Sequence, residues 1–229
     1  MLLETKDLTK GFLSKKAVNK VSISVEKGKI YGFLGPNGSG KTTFMKMVSG
    51  LLHPTSGTIL IEGQPVGVET KKKAAYMSTE NFIYPYMKIK TVGEFYQDFY
   101  EDFNTERFKK LLDYMDLDMS MKVKTLSSGM ASKLKIAVTL SRDAKLFMLD
   151  EPLNGIDLVA REKILNTIVE CANEGNTIII SSHLVDEMEK ILDEVIFIKN
   201  GELVLTGNAE SVREERGKSI VELYKEVYA

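Results

Sequence analysis

The 229-residue sequence contains one cysteine, two histidines, five prolines and no tryptophan, and each scarcity removes a class of protein. A single thiol, Cys171, excludes an internal disulfide framework and a multi-thiolate zinc site. Its setting, ILNTIVECANEG, reads as a small core residue on a helix, and the thiol count points to a reducing compartment. His53 and His183 stand too far apart in the chain to suggest a zinc pair. Charge of one sign is also missing: 31 Lys and Arg face 32 Asp and Glu, a net charge of -1. That balance argues against a uniform field for holding nucleic acid or an anionic membrane surface, while leaving room for a local basic site. The longest apolar runs, LFML, VIFI and III, fall far short of the roughly 20 residues that span a bilayer. MLLETKDLTK lacks the apolar stretch of a signal peptide, so any membrane role is expected to come through a partner. There is no internal repeat, low-complexity tract or flexible linker. With 43% hydrophobic and 28% charged residues, the chain has material for a packed core, and one compact domain with a subdomain is expected.

Periodicity orders the segments. Val21, Ile23 and Val25 alternate with polar residues as a half-exposed strand does, and the apolar run IYGFL at 30–34 reads as a buried strand. GPNGSG follows at once, and then KTTFMKMVSGLL places Phe44, Met47, Val48, Leu51 and Leu52 on one helical face with Pro54 as its stop and His53 as a solvated residue at its end. Thr58 to Glu62 reads as a further strand ending in Gly63, and Ala74 to Met77 is a short apolar run before a polar break at Ser78 to Asn81. From Phe82 to about Leu140 the pattern is helical: Thr91 with Glu94 forms a capping box, and Asn104 caps ERFKKLLDYMDL. Apolar strands resume with LFMLD at 146–150 and TIIISS at 177–182, separated by a helix from about Leu158 to Asn173. Asn200-Gly201 between two apolar runs signals a hairpin, and Ser219 with Glu222 opens a final short helix.

Gly35 to Thr42 matches G-x-x-x-x-G-K-[ST] in the context that motif requires, a buried strand before it and an amphipathic helix after. Its glycines let backbone N–H groups converge on a polyphosphate, Lys41 can neutralise β and γ oxygens, and the Thr42 hydroxyl can ligate Mg²⁺. Many enzyme classes share this loop, so a second half of the site has to decide between them. Asp150 ends a buried strand on the expected ligand edge, where it can hold the Mg²⁺ shell opposite Thr42. Glu151, immediately after it, is placed to polarise a water for attack on the γ-phosphate, which favours hydrolysis over transfer to an acceptor. Between the two halves, TLSSGMASKLKIAVTL sets a Ser/Gly turn at a helix N-terminus able to receive an anion.

These motifs, in this order, resemble the nucleotide-binding subunit of an ABC transporter over nearly the whole chain. GPNGSGKTT, residues Gly35, Pro36, Asn37, Gly38, Ser39, Gly40, Lys41, Thr42 and Thr43, is similar to the family's Walker A loop. LSSGM at 126–130, with Ser127, Ser128 and Gly129, resembles its signature, and FMLDEP at 147–152 its Walker B strand with the following Glu151. LNGID, ending at Asp157, looks like its D-loop, His183 its switch histidine, and Phe12 the aromatic that stacks on adenine, against which stands a plain core aromatic. The resemblance implies an α/β fold: a P-loop NTPase core with a mainly parallel sheet over about 1–81 and 143–229, an N-terminal antiparallel β subdomain, and an inserted α-helical subdomain over about 82–142. It implies ATP and Mg²⁺ as ligands, with Lys41, Glu151 and His183 catalytic and Thr42, Asp150 and Glu80 at the metal.

It also implies partners. Two copies, most simply a homodimer, would close head to tail around ATP on an integral membrane permease at the cytoplasmic face, with no nucleic acid. The short chain and short helical tail are most like single-domain bacterial exporter ATPases for drugs, peptides or lipid-like cargo; a soluble ATPase of iron–sulfur assembly is the alternative. Ser128 and Met130 depart from the usual LSGGQ, which implies an active half-site with slower turnover. The loop YMSTEN carries no glutamine, leaving either Thr79 or Glu80 in that place. ENFIYPYMKIK reads either as core of the helical insertion or as a docking groove for a permease helix.

Overall fold

The computed structural model describes residues 1–13, 15–173 and 175–229. Two antiparallel strands open the chain, β1 (Leu3–Phe12) and β2 (Lys15–Val21), followed by the short β3 (Ser24–Val25). Val21, Ile23 and Val25, expected to lie half exposed on one strand, are all buried, with Val21 ending β2, Val25 in β3 and Ile23 in the break between them. The break is bridged by a side chain: Thr5 Oγ1 donates to the Val21 carbonyl at 3.1 Å and accepts the Ile23 N–H at 3.0 Å. Next come β4 (Ile30–Leu34), α1 (Lys41–Val48), β5 (Ser56–Ile61), β6 (Gln64–Pro65), α2 (Val68–Lys73) and β7 (Ala74–Met77). The helix α1 stops at Val48, sooner than expected, with Gly50 in the left-handed region at φ 70°. Leu51 is consequently exposed, and His53 lies beyond the helix on the surface.

The helical stretch holds α3 (Ile89–Phe99), α4 (Thr105–Tyr114) and α5 (Ser128–Leu140). Asn104 caps α4 as the sequence predicts, accepting the Arg107 N–H at 2.8 Å. The Thr91–Glu94 box does not form, because α3 begins three residues earlier than that box requires, at Ile89, which puts Thr91 inside its first turn. Ile89 and Lys90 instead donate their N–H groups to the carbonyls of Met121 and Met119, so tertiary partners replace the local cap. The chain then runs through β8 (Leu146–Asp150), α6 (Leu158–Asn173), β9 (Thr177–Ser182), α7 (Val185–Met188), β10 (Glu194–Lys199), β11 (Glu202–Asn208), α8 (Ala209–Arg216) and α9 (Ile220–Tyr228). Both remaining local signals are realised: Asn200 and Gly201 turn the β10–β11 hairpin at φ 53° and 82°, and Ser219 and Glu222 form a reciprocal cap on α9.

The central sheet has the order β11-β10-β4-β9-β8-β7, parallel except for the β10–β11 edge pair, and the N-terminal sheet runs β2-β1-β5-β6 with β3 against β1. The central strands are covered on both faces, which is why the middles of IYGFL, LFMLD and TIIISS are apolar and their polar residues stand at the ends. Along β4 the faces alternate. Tyr31 and Phe33 pack with the N-terminal sheet and α1, whereas Ile30 and Leu34 join the larger core formed with α3, α4, α5 and α6. Phe108, Leu112 and Leu134 of the helical stretch share that larger core with Ile180 and Phe197 of the sheet. Cys171 is buried within it, and burial pushes its thiol pKa up. Among the described residues no helix is long and apolar enough to cross a membrane.

Candidate functional site

Strand register assembles the site. In the parallel ladder Leu34 pairs with Ser182, and Asp150 with Ser181, so β4, β9 and β8 end side by side. The residues that follow, Gly35, His183 and Glu151, therefore emerge next to one another at the C-terminal edge of the sheet, where α/β proteins bind ligands. A cleft of about 410 Å³ opens there, lined by Phe12, Asn37, Gly38, Gly40, Lys41, Thr42, Thr43, Thr79 and Glu151 among others.

The loop itself is shaped for a close approach of backbone to ligand. A Cβ on Gly35 would sit 2.4 Å from the Ile198 carbonyl oxygen, and one on Gly40, at φ 112°, would sit 2.3 Å from that of Ala17. Neither position can carry a side chain without moving the neighbouring strands, whereas Gly38, at φ 79°, has open space and needs glycine for its backbone angle. Pro36, Asn37 and Gly38 are exposed; Ser39 is buried, its N–H on the Pro36 carbonyl and its hydroxyl without a partner. The first N–H groups of α1, from Lys41 to Thr43, have no carbonyl one turn back and open toward the cleft. An orphaned hydroxyl, free N–H groups and a glycine cradle together fit a polyphosphate.

Lys41 reaches across this cradle. Its ammonium donates to the carbonyls of Gly35 at 2.6 Å and Pro36 at 3.2 Å, and Glu151 Oε1 lies 3.2 Å away, close enough for charge pairing but misaligned for a hydrogen bond. Glu151 Oε2 is 2.9 Å from His183 Nδ1. The Lys41 and Glu151 side chains are nearly buried, at 5% and 7% exposure, which strengthens their mutual field. Glu151 holds a left-handed backbone at φ 51°, a conformation a non-glycine residue adopts only where its surroundings enforce it. The enforcing contacts come from Ser181, whose carbonyl and Oγ both accept the Glu151 N–H, at 3.1 and 3.0 Å.

Asp150 is fully buried, and its two oxygens are held separately, Oδ1 by the Ser181 hydroxyl at 2.5 Å and Oδ2 by the Tyr76 hydroxyl at 3.1 Å. Burial, and after it the Asp150 charge, push the Tyr76 phenol pKa well up, so the hydroxyl remains a donor. Tyr76 and Ser181 went unrecognised in the sequence because both lie inside apolar strands; position at the ligand edge was the one available signal. Among the described residues no group of three or more His, Cys, Asp or Glu could enclose a metal. A hydroxyl such as that of Thr42 and a single carboxylate such as that of Asp150 fit the sparse protein donor set of a Mg²⁺ held largely by phosphates and water.

The structure does not bring Glu80 into this cluster. Its carboxylate takes the Lys46 ammonium at 2.8 Å, stays 74% exposed, and is held below the usual carboxylate pKa by that lysine. Thr79, the other candidate, lines the cleft. Phe12 lies at the mouth, 49% exposed, with Lys10 over its ring at 5.3 Å, which rules out the core alternative. Ser127, Ser128, Gly129 and Asp157 do not line the cleft. Ser127 caps α5 by accepting the Met130 N–H at 3.2 Å, Ser128 Oγ reaches the Gly155 carbonyl at 3.4 Å, and both serines are exposed. Asp157, also exposed, accepts the Ala160 N–H at 3.0 Å, and that bond lowers its pKa.

The aromatic loop divides. Ile83 and Met87 are buried, while Tyr84 and Tyr86, at 50% and 73% exposure, stack on each other at 5.5 Å. A separate groove of about 470 Å³ lies between α1, β7 and the helical stretch, lined by Leu51, Tyr76, Phe82, Tyr96, Tyr100 and Arg142 among others.

Residues 18–154 match the profile of the ABC transporter family. The chain is 36% identical, over 93% of its length and 71% of the relative's, to the uncharacterized ABC transporter ATP-binding protein YcbN of Bacillus subtilis. It is 33% identical to the lantibiotic transport ATP-binding protein SrtF of Streptococcus pyogenes, over 89% of this chain and 90% of that one. Among solved structures, the ATP-binding subunit of an ABC transporter superposes with a TM-score of 0.90 at 28% identity, covering 99% of each chain.

Proposed function

Since the chain belongs to the ABC transporter family, as one of its ATP-binding, ATP-hydrolysing subunits, we propose that it powers export of a drug, peptide or lipid-like substrate through a partner permease. The observation that carries the chemistry is the junction of Lys41, Glu151 and His183 within 3.2 Å beside a glycine cradle. On ATP binding, the Lys41 ammonium exchanges its carbonyl partners and Glu151 for β- and γ-phosphate oxygens, a stronger charge-assisted contact. Glu151 Oε1 is thereby released to accept a proton from the attacking water, while His183 keeps the carboxylate aimed through Oε2. Thr42 and Asp150 would hold Mg²⁺, which supplies charge neutralisation of the phosphates. Tyr76 and Ser181 fix Asp150 so that it needs no reorganisation when the phosphates arrive.

A second copy completes the site in this reading. The capped N-terminus of α5, with Ser127 and Ser128 exposed and Gly129 half-buried, does not line its own cleft, which suits a head-to-tail closure in which each copy's α5 meets the other's γ-phosphate. The stacked, exposed Tyr84 and Tyr86 and the neighbouring 470 Å³ groove support docking of a permease helix beside the helical stretch at the cytoplasmic face. Export is favoured by the likeness to a lantibiotic transport subunit along nine-tenths of both chains.

Tagged Glu151→Gln protein, purified with Mg-ATP from detergent-solubilised membranes of its host, tests this assignment. A co-purifying multi-span protein is the expected result. Recovery of soluble proteins only, with an ATP-dependent dimer still present, would transfer the ATPase to a soluble assembly role.

A further inference from the structure

Thr79 reaches the cleft from the loop that follows β7. Its neighbours Ser78 and Glu80 bond locally or outward: Ser78 Oγ accepts the Glu80 N–H at 3.1 Å, and Glu80 pairs with Lys46. The anchor comes from α5. Lys135, 8% exposed in the middle of that helix, donates its ammonium to the Ser78 carbonyl at 3.0 Å and to the Thr79 carbonyl at 3.0 Å. The Phe82 ring lies 6.0 Å away, and among the described residues no carboxylate stands within ion-pair distance.

Packing alone does not call for a lysine here. The flanking Leu134, Ile136, Ala137 and Val138 are buried and apolar, and a methionine would fill a similar volume without the cost of removing an ammonium from water. Burial does push the Lys135 pKa down, opposed by the negative charge of Asp150. What the ammonium adds is geometric. By chelating the carbonyls of two successive residues it fixes both peptide planes around Thr79, and with them the direction of that side chain. The same lysine ties the loop to the helix whose first turn carries Ser127, Ser128 and Gly129.

We propose that Lys135 is a positioning residue that clamps the Ser78–Thr79 backbone to α5, holding Thr79 at the rim of the nucleotide cleft and transmitting movements of α5 to it. The inference rests on the ATPase reading for its kinetic consequence but not for its structural one, and the two are measured separately. Hydrogen exchange of the amides of residues 79–81 reads the clamp without turnover: Lys135→Met is expected to speed it by about tenfold or more, with exchange in the β8 core unchanged. Equal exchange in variant and parent overturns the clamp.

Steady-state ATP hydrolysis then reads the link to Thr79. Lys135→Met and Thr79→Ala are each expected to lower kcat by about tenfold with KM changed by less than threefold, and the double variant to be no slower than either single. Losses that multiply in the double variant, or an unaltered kcat in Lys135→Met, overturn the proposal. Lys135→Arg, which keeps donors for both carbonyls, is expected to lose less than threefold; should Lys135→Met fail to fold, Lys135→Gln takes its place in the same cycle. A parent chain that hydrolyses no ATP would refute the ATPase reading, and hydrogen exchange would still decide the clamp.

Discussion

Replacing Glu151 by glutamine separates binding from chemistry at this site. The variant keeps the shape of the side chain and a hydrogen bond toward His183 Nδ1, 2.9 Å away, but removes the charge and the proton acceptor. A positioned general base contributes about 10² to 10⁴ in rate, so hydrolysis should slow by that factor, about 2.7–5.5 kcal/mol of transition-state stabilisation. Nucleotide affinity should hold or rise. In the parent, Glu151 Oε1 sits 3.2 Å from the Lys41 ammonium in a nearly buried pair, competing for the cation and repelling incoming phosphates; the amide does neither. Phosphate release measured under single turnover, beside equilibrium binding of ATP, reads the two effects independently, and light scattering with ATP reports whether the slowed protein accumulates as a dimer. Hydrolysis within threefold of the parent would remove Glu151 from the base role and leave the Lys41–Glu151–His183 junction without its proposed chemistry.

Lys41→Ala removes the ammonium that lies against the glycine loop, with Lys15 also lining the cleft; a lost charge-assisted contact of about 1.5–3 kcal/mol predicts affinity for ATP weakened by roughly 10- to 10²-fold in equilibrium binding. Unchanged affinity would refute it. The Tyr228 hydroxyl of α9 lies 3.1 Å from the Leu34 carbonyl and 3.0 Å from that of Ile198, pinning the strand end that leads into the loop. Tyr228→Phe should cost about 1–2 kcal/mol, or roughly 2–8 °C in a thermal melt, and an identical melting temperature would show that water replaces the hydroxyl. Tyr86→Asp, at a position 73% exposed, should leave the melt and the basal ATPase unaltered while abolishing stimulation by the permease; a collapsed melting transition would return Tyr86 to the core.

Legibility followed the range of the interactions. The meeting of Lys41, Glu151 and His183 is legible in the sequence because Glu151 and His183 directly follow apolar runs that mark buried strands, and Lys41 closes the glycine loop after a third. The Asn104 and Ser219 caps were readable because their partners lie three residues away. The Thr91 box satisfied the same local rule and failed, since the N–H groups of Ile89 and Lys90 found carbonyls at Met121 and Met119, about thirty residues along the chain. The helical face drawn through Leu51 failed for a backbone reason, a left-handed Gly50 that ends the helix early.

By itself, then, the sequence determined the strand, glycine-rich loop and helix from β4 to α1, the adjacent carboxylates at the end of β8, and the α/β fold class, because glycine conformational freedom, strand hydrophobicity and motif order are properties of contiguous residues. Tertiary structure alone decided that Thr79 and not Glu80 enters the cleft, that Tyr76 and Ser181 hold Asp150, and that Lys135 reaches the loop from a helix more than fifty positions away. Those choices depend on strand register and on which carbonyls a buried donor can reach, and neither is fixed until the whole sheet and the helices against it have packed.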